Sequence, residues 1–180
     1  MPTIPPLEDI TLRTAQRRIP NASMHPATAP ASVRVRRAEM SDLDDLVMLE
    51  DQTFDSDRLS RAQYRRHLDS DSALVLVASA NHRNFLGTAV VFFRKGSHVA
   101  RLYSIASKPE ARGKGVGAAL LDAVEAAARQ RRCHAVRLEV RDDNTGAVRL
   151  YERHGYHHIG HYPQYYQDGT NAWRYEKSLG

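Results

Sequence analysis

A glycine-rich turn, Arg112-Gly113-Lys114-Gly115-Val116-Gly117, joins a predicted strand to the longest predicted helix of the chain. Its glycines leave backbone N–H groups uncovered, and the helix start adds the positive end of a helix dipole, so we expect a phosphate-bearing ligand here. Two familiar phosphate loops do not fit. A P-loop requires Ser or Thr after its lysine, and a dinucleotide fingerprint requires G-x-G-x-x-G, whereas the spacing here is G-x-G-x-G. An ordinary glycine-rich turn is the remaining alternative.

The elements around this turn predict a mixed α/β fold. Apolar residues recur at helical intervals over 118–131, after the turn. Before it, Val99, Arg101, Tyr103 and Ile105 alternate as on one face of a strand. The other predicted elements, from the N-terminus, are a strand at 33–35, helices at 43–49 and 60–68, a β-hairpin of 73–80 with 85–93, a strand at 135–140, a helix that Asn144 caps and that ends near 154, and strands at 156–162 and 172–177.

The first 31 residues differ in composition from the rest of the chain. They contain six of the eight prolines and little apolar periodicity, so we expect a flexible tail at 1–31 and one folded domain at 32–180. An organelle-targeting peptide is the alternative that the arginines of this segment raise, and Glu8 and Asp9 argue against it. The prolines are Pro2, Pro5, Pro6, Pro20, Pro26 and Pro30.

Composition and net charge indicate which binding partners and which cellular compartment to expect. The net charge of +5 attracts polyanions, but the basic clusters lack aromatic interleaving or a nucleic-acid motif, so we do not expect nucleic-acid binding. The single cysteine, Cys133, has no partner for an internal disulfide, which favours a reducing, cytoplasmic setting. Neither a signal-peptide core nor an apolar run of roughly 20 residues is present, so we expect a soluble protein without a membrane partner.

Sequence blocks on both sides of the glycine-rich turn identify a family. The turn itself matches Arg/Gln-x-x-Gly-x-Gly/Ala, residues 102–109 read LYSIASKP, and residues 138–156 contain L-E-V, N-x-x-A and L-Y-x-x-x-G-Y in order. Together these blocks resemble the GNAT acetyltransferases. The resemblance implies a mixed, mostly antiparallel central sheet of about seven strands with a splayed central strand pair and about four helices.

The same resemblance implies acetyl-CoA as co-substrate and no metal. In proteins that this sequence resembles, the glycine-rich turn binds the pyrophosphate, and the splayed strand binds the pantetheine arm and the thioester. The matching residues here are Ile105, Ala106, Ser107, Arg112, Gly113, Lys114, Gly115, Val116, Gly117, Ala118, Asn144 and Tyr151.

Three chemical roles follow from the resemblance. Glu139 matches the position of a general base, acting directly or through water, and Tyr151 matches a general acid for the departing thiolate. The oxyanion would meet a backbone N–H near Ser107. The blocks, together with YYQDGTNA at 165–172, most resemble N-terminal protein acetyltransferases, including the bacterial type acting on a ribosomal protein's N-terminal alanine. Tyr165 and Tyr166 are therefore candidate acceptor contacts, with edge packing as the alternative.

Other readings of the function stay open at this stage. The segment Thr53-Phe54-Asp55-Ser56-Asp57 lacks the Phe-Pro-Trp type of sequence found in the ribosomal enzyme, which leaves a small amine, an antibiotic or a lysine side chain as alternative acceptors. A monomer or a homodimer is compatible with the chain. A non-catalytic acyl-CoA-binding module would need neither Glu139 nor Tyr151. We expect no metal at the histidines, because no carboxylate or cysteine completes a ligand set and strand alternation separates neighbouring residues. They are His154, His157, His158 and His161.

Overall fold

The computed structural model describes residues 33–54, 57–80 and 84–180, so the predicted tail lies outside the described residues. Within them, no helix combines the length and the apolar character that crossing a membrane requires. Seven strands and four α-helices follow one another in the described part: β1 (Arg34–Arg37), α1 (Leu43–Thr53), α2 (Arg61–Leu68), β2 (Ala73–Ser79), β3 (Phe85–Phe93), β4 (Val99–Ser107), α3 (Val116–Gln130), β5 (Ala135–Arg141), α4 (Thr145–Arg153), β6 (His157–Tyr162) and β7 (Ala172–Ser178).

All seven strands form one sheet in the order β1-β2-β3-β4-β5-β7-β6. Neighbouring strands are antiparallel except β4 and β5, which are parallel. A parallel pair needs a crossover connection, and α3 provides it. The predicted mixed, mostly antiparallel sheet is confirmed, as is the meander of β2, β3 and β4.

Two apolar clusters cover the two faces of the sheet. On one face α3 contributes Leu120 and Leu121, which are fully buried in the cluster that also contains Leu102 and Leu138. On the other face α1 and α2 pack their own apolar residues against β2 and β3, in a cluster that includes Leu46 of α1. Burying one such side chain stabilises the fold by about 1.5–3 kcal/mol, so these clusters fix which face each helix covers.

A buried carboxylate joins α1 to α2. Glu50 is 1% exposed, and its carboxylate accepts hydrogen bonds from the Leu59 N–H at 2.8 Å and the Tyr64 hydroxyl at 2.6 Å. Ser60 then begins α2 with a capping box, because its hydroxyl accepts from the Gln63 N–H and the Gln63 side chain accepts from the Ser60 N–H. The end of the α1–α2 connection is therefore held at a defined position.

One prediction about β4 is wrong. The pairing with β3 moves from Val91 opposite Leu102 to Val90 opposite Ser104, so Tyr103 is the extra residue of a β-bulge. The bulge shifts the alternation of side chains, and Ile105 packs against the α3-side cluster instead of sharing a face with Arg101 and Tyr103. Residues before the bulge follow the expected alternation, and residues after it are displaced by one position.

Candidate active site

The central strands β4 and β5 separate part of the way along the sheet. They pair from Val99 opposite Ala135 to Leu102 opposite Leu138, and neither strand pairs with the other beyond this point. β4 continues to Ser107 against β3, and β5 continues to Arg141 against β7. A gap therefore opens between the C-terminal halves of two parallel strands, which matches the splayed pair that the family resemblance implies.

Backbone groups of β4 face this gap. The Lys108 N–H donates to the Leu86 carbonyl of β3 at 2.8 Å. Because successive N–H groups of a strand point to opposite edges, those of Ser107 and Ile105 are directed toward β5, where the ladder has ended. The predicted residues Ile105, Ala106 and Ser107 thus lie along an edge that has unpaired backbone groups.

The glycine-rich turn lies at the start of α3. Gly113 and Gly115 have φ of +74° and +80°, a backbone conformation that residues with a Cβ rarely adopt, and open space surrounds both positions. The N–H groups of Val116, Gly117 and Ala118 belong to the first turn of a helix and have no intrahelical acceptor. The turn thus presents backbone donors, the helix dipole and the exposed side chains of Arg112 and Lys114 together.

The start of α3 approaches the Leu150 side chain, which lies past the middle of α4. A Cβ at Gly117 would lie 2.8 Å from the Leu150 Cδ2 atom, so a larger residue there would require the end of the Leu150 side chain to shift. Asn144 caps α4 by accepting from the Ala147 N–H at 3.1 Å, as predicted, and its Nδ2 group donates to no residue of the described ranges. The predicted cofactor residues of the turn and Asn144 therefore lie at the N-termini of α3 and of α4, respectively.

Glu139 comes directly after Leu138, the last residue of β5 that pairs with β4, and its side chain points away from α3. Its side chain is 8% exposed and contacts two guanidinium groups. Arg101 Nε donates to Oε2 at 3.1 Å, and Arg174 Nε lies 3.2 Å from Oε1. The Arg174 Nε–H is not aligned for a hydrogen bond, so this second contact is an ion pair only, and Oε1 keeps its hydrogen-bonding capacity.

Tyr151 lies in the second half of α4 and is 4% exposed. Burial, with a smaller contribution from Tyr166, raises the pKa of its hydroxyl. The group therefore keeps its proton at neutral and moderately alkaline pH, which is the form that a proton donor needs. Its ring contacts the Tyr156 ring edge-on, with 5.8 Å between the centroids.

The segment 163–171 carries both predicted acceptor tyrosines. Arg101 Nη2 donates to the Tyr165 hydroxyl at 2.8 Å, which links this segment to Glu139 through one guanidinium. Burial, with Tyr165 and then Glu139 and Asp57 as weaker negative neighbours, raises the pKa of Tyr166 to about 12, although Arg141 opposes the rise. Because Tyr166 also affects the hydroxyl of Tyr151, the predicted residues Glu139, Tyr151, Tyr165 and Tyr166 surround one region.

Arg141 links the segment 163–171, which we name the tyrosine segment, to the end of β5. Its guanidinium donates to Asp168 at 2.8 Å and to the Thr170 hydroxyl at 2.7 Å, and it lies 5.2 Å from the centre of the Tyr166 ring. The Thr170 N–H and the Arg141 guanidinium lower the pKa of Asp168 to about 2. The segment therefore has a defined position above the gap.

The α1–α2 connection faces the same region from the other side. Tyr103, at the bulge, is 38% exposed, and burial raises the pKa of its hydroxyl together with the charges of Glu50 and Asp57. Asp57 has φ of +56° and also acts on Tyr166. Tyr103 of β4, Asp57 before α2 and Tyr166 of the segment 163–171 therefore lie near one another.

Sequence reasoning missed three residues of this region: Arg101, Arg141 and Arg174. The sequence offered one signal for them, a charged residue at an alternating position of a predicted strand. Arg101 occupies such a position, but the alternation was used only to predict the strand. Its partners are 38 and 64 residues away in the chain. Only the order β4-β5-β7 brings these side chains together.

The histidines form no recognisable metal centre in the part of the chain that the structure describes, where no group of three or more His, Cys, Asp or Glu side chains could hold an ion. His158 and His161 instead contact the Trp173 ring, each with 4.7 Å between centroids. A register shift between His158 and Gly160 places these two histidines against the same ring. They contribute to packing at the edge of the sheet.

Solved structures of acetyltransferases have the same fold. Similar chains include ribosomal-protein-alanine N-acetyltransferase from Brucella melitensis (23% identity, TM-score 0.69, covering 80% of this chain and 98% of that one). Ard1 from Thermoplasma volcanium is similar at 27% identity and a TM-score of 0.70, covering 81% and 97%. Spermidine/spermine N-acetyltransferase SpeG from Vibrio cholerae is similar at 20% identity and a TM-score of 0.70, covering 82% and 92%.

The sequence model of the acetyltransferase (GNAT) family matches residues 40–156, which is more than half of the chain. That range contains the glycine-rich turn, the separated strand pair, Glu139 and Tyr151. The family expectation from the sequence is confirmed, and with it the co-substrate of the family, acetyl-CoA. The protein is therefore a GNAT acetyltransferase, an enzyme that transfers an acetyl group to an amine.

Proposed function

We propose that the enzyme acetylates the α-amino group of a peptide or protein. The observation that carries this proposal is the Arg101 guanidinium, which contacts Glu139 at the gap and Tyr165 of the tyrosine segment at the same time. An acceptor chain that reaches Glu139 must pass this segment. Two tyrosine rings provide large contact areas with hydroxyl groups that can bind peptide amides, which suits an extended backbone.

Acetyl-CoA binding is assigned to the opposite side of the gap. The N–H groups of Gly113 and of residues 115–118 would bind the pyrophosphate, with Arg112 and Lys114 adding positive charge. The Nδ2 group of Asn144 would bind a pantetheine carbonyl, and the backbone of 105–107 would hold the arm along the unpaired edge. Val116 is buried, so only its N–H is available for this purpose.

Glu139 accepts the proton that the amine loses as its nitrogen attacks the thioester carbonyl, directly or through one water molecule. The C–N bond forms while the carbonyl oxygen gains negative charge. The Ser107 N–H, directed into the gap, stabilises this oxyanion. The oxygen Oε1 of Glu139 is suited to the proton transfer, because Arg101 already occupies Oε2.

Tyr151 completes the transfer when the C–S bond breaks. Its hydroxyl donates a proton to the departing thiolate, and the rise in its pKa keeps that proton in place beforehand. The same α4 helix bears Leu150, which contacts Gly117 of the glycine-rich turn. Binding of the pyrophosphate and placement of the acid are therefore coupled through one helix contact.

The test is acetyl-CoA-dependent thiol release with three acceptor classes: peptides with a free N-terminus and no lysine, N-terminally blocked lysine peptides, and polyamines. We expect turnover of the first class. Turnover of only blocked lysine peptides or polyamines would show that the acceptor is a lysine side chain or a small amine. The assignments of the fold and of the co-substrate would not change. Binding of acetyl-CoA without turnover of any class would favour the non-catalytic module.

The variant Glu139→Gln tests the base, and Glu176→Gln is its matched control. Both carboxylates lie on strands of the same sheet and pair with arginines, Glu176 with Arg137. General-base catalysis contributes about 10²- to 10⁴-fold, so Glu139→Gln should lower kcat by that order. Equal effects of the two substitutions would show that Glu139 acts through structure only.

A further inference from the structure

A second surface continues from the acceptor side of the gap. It is a groove of about 500 Å³ between α2 and the end of β3, and the residues used below are Arg66, His67, Phe92, Arg94 and Lys95. We name it the α2–β3 groove. It lies on the face of the sheet that carries Glu139, because Phe92 is the cross-strand partner of Arg101. None of these five residues belongs to the site described above.

Aromatic rings connect the groove to that site. The Phe92 ring lies 5.2 Å from the Tyr103 ring and 4.9 Å from the His67 ring, measured between centroids. An extended chain advances about 3.4 Å per residue, so roughly three residues would cross these two spacings. Tyr103 lies near Arg101, the residue that binds Glu139, so a peptide whose first residue lies at Glu139 beside Tyr103 would place residues four to six in the groove.

The charge of the groove indicates what such residues are. Arg66, Arg94 and Lys95 are exposed, and among the described residues none of them forms an ion pair with a carboxylate. By contrast, Arg101, Arg141 and Arg174 beside the gap are all paired with acidic side chains. Unpaired cations beside aromatic rings provide a surface to which carboxylates are attracted.

We infer that the α2–β3 groove binds an acidic segment of the acceptor, with carboxylates at about the fourth to sixth residues from the acetylated N-terminus. This inference rests on the proposed function, since it names the acceptor class of the same site. Arg66 lies on one wall, and Arg94 and Lys95 lie on the other. The rings of Phe92 and His67 form the path between the groove and Tyr103.

The experiment compares two hexapeptides with a free N-terminal alanine, one with glutamate and one with glutamine at positions four to six. We expect kcat/KM to favour the glutamate peptide by about tenfold at low salt, the order that a few exposed ion pairs provide. Arg66→Glu should abolish the preference. Arg65→Glu, an exposed neighbour on α2 outside the groove, changes the net charge equally and should retain it.

A binding measurement separates this inference from the proposed function. The glutamate peptide with a blocked N-terminus is titrated while the imidazole signals of His67 and, as internal reference, His157 are followed by NMR. Burial and Arg66 lower the pKa of His67, and neighbouring carboxylates should raise it in the complex. This readout needs no turnover, so it supports or overturns the groove even if the enzyme acetylates small amines.

Three results would overturn the inference. The first is an equal kcat/KM for the two hexapeptides, with both turned over. The second is loss of the preference in Arg65→Glu as well as in Arg66→Glu, which would indicate general charge attraction. The third is binding of a single-stranded oligonucleotide at the groove as tightly as the blocked glutamate peptide, since the site would then recognise polyanions without selecting a peptide.

Discussion

Single side chains around Glu139 show how the site controls one carboxylate. Arg101 occupies one oxygen with a hydrogen bond, while Arg174 approaches the other without one. Two guanidinium groups hold the side chain in place, yet one oxygen remains open to a reacting proton. The positions of these three side chains come from β4, β5 and β7, so the rigid sheet fixes the geometry of the carboxylate.

Replacing Tyr151 with Phe tests the proton donor. Tyr151→Phe should lower kcat by about 10²- to 10⁴-fold, because general-acid assistance to the thiolate is lost. The Kd for acetyl-CoA should change by less than about threefold, since the ring and its packing remain. Steady-state kinetics and calorimetry measure the two quantities. Tyr156→Phe, a change to the ring in contact with Tyr151, is the control and should retain most of the activity.

The same hydroxyl determines the alkaline limb of the pH profile. An ordinary tyrosine loses its proton near pH 10, and burial raises the pKa of Tyr151 above that value. We therefore expect kcat to rise as the amine loses its proton and then to stay level between about pH 8 and about pH 10. A decline in that interval that disappears in Tyr151→Phe would contradict this assignment.

The elements that carry the site differ in how they obtain their position. α3 and α4 approach each other through Gly117, and the tyrosine segment is fastened to β5 by Arg141. The α1–α2 connection depends on one buried carboxylate, Glu50. Each of these contacts can be changed without touching Glu139 or Tyr151, so the contribution of each element to binding is separable from the chemistry.

Gly115 and Gly96 form a matched pair for testing the glycine-rich turn. Their φ values are +80° and +77°, and neither has a neighbouring atom within 4 Å of an added Cβ. Replacing either with Val therefore introduces similar backbone strain, of about 1–3 kcal/mol. Only Gly115→Val should weaken acetyl-CoA binding, by at least about tenfold, as measured by calorimetry. Equal Kd values for acetyl-CoA in the two variants would show that the glycine-rich turn does not contribute to binding.

Substitutions of Glu50 test the link between α1 and α2. Glu50→Ala orphans the buried Tyr64 hydroxyl and should cost about 1–3 kcal/mol of unfolding free energy, measured with urea. Glu50→Gln keeps an acceptor and should cost less. Burial raises the pKa of Glu50, so the folded state holds this proton more tightly than the unfolded state. The stability of the wild type relative to Glu50→Gln should therefore fall as pH rises above about 4.5.

If the stability of the wild type relative to Glu50→Gln increased with pH, the raised pKa of Glu50 would be contradicted. The two proteins differ at one titrating group, so other ionisations cancel in the comparison. A second readout is KM for the acceptor. Because Glu50 positions the connection that bears Asp57, Glu50→Ala should raise KM more than it lowers kcat.

The elements were predictable because their signals are local. Helical spacing located α3, the cap at Asn144 located α4, and alternation with turn residues located β2 and β3. The bulge at Tyr103 was not predicted, because a single extra residue leaves no mark on apolar alternation until its partner strand is known. The arginines around Glu139 were missed for the same reason, since their pairing depends on strand order.

The two faces of the sheet carry different parts of the candidate site. On one face, α3, which follows the glycine-rich turn, and α4 pack in the same apolar cluster. Glu139, Tyr165 and the α2–β3 groove lie on the other face, where α1 and α2 pack against β2, β3 and β4. In the proposed function, acetyl-CoA and the acceptor peptide would therefore approach the gap from opposite faces of the sheet.

A chain that begins at Ser32 tests the boundary that composition predicts. We expect it to retain the circular-dichroism spectrum and kcat of the full chain, because none of the assigned contacts involves residues 1–31. Loss of activity with an unchanged spectrum would assign a functional contact to the N-terminal segment. Loss of the folded spectrum would move the domain boundary toward the N-terminus.

The gap between β4 and β5 also makes the sheet incomplete without its ligand. A molecule that binds along this edge adds its own free energy of association to that of the fold, by about 2.7 kcal/mol at a hundredfold excess over its Kd. Unfolding events that expose the chain to proteases then become about a hundredfold rarer. The lifetime of such an enzyme then depends on the supply of its acyl donor, so that starvation for the substrate reduces the amount of catalyst as well as its rate.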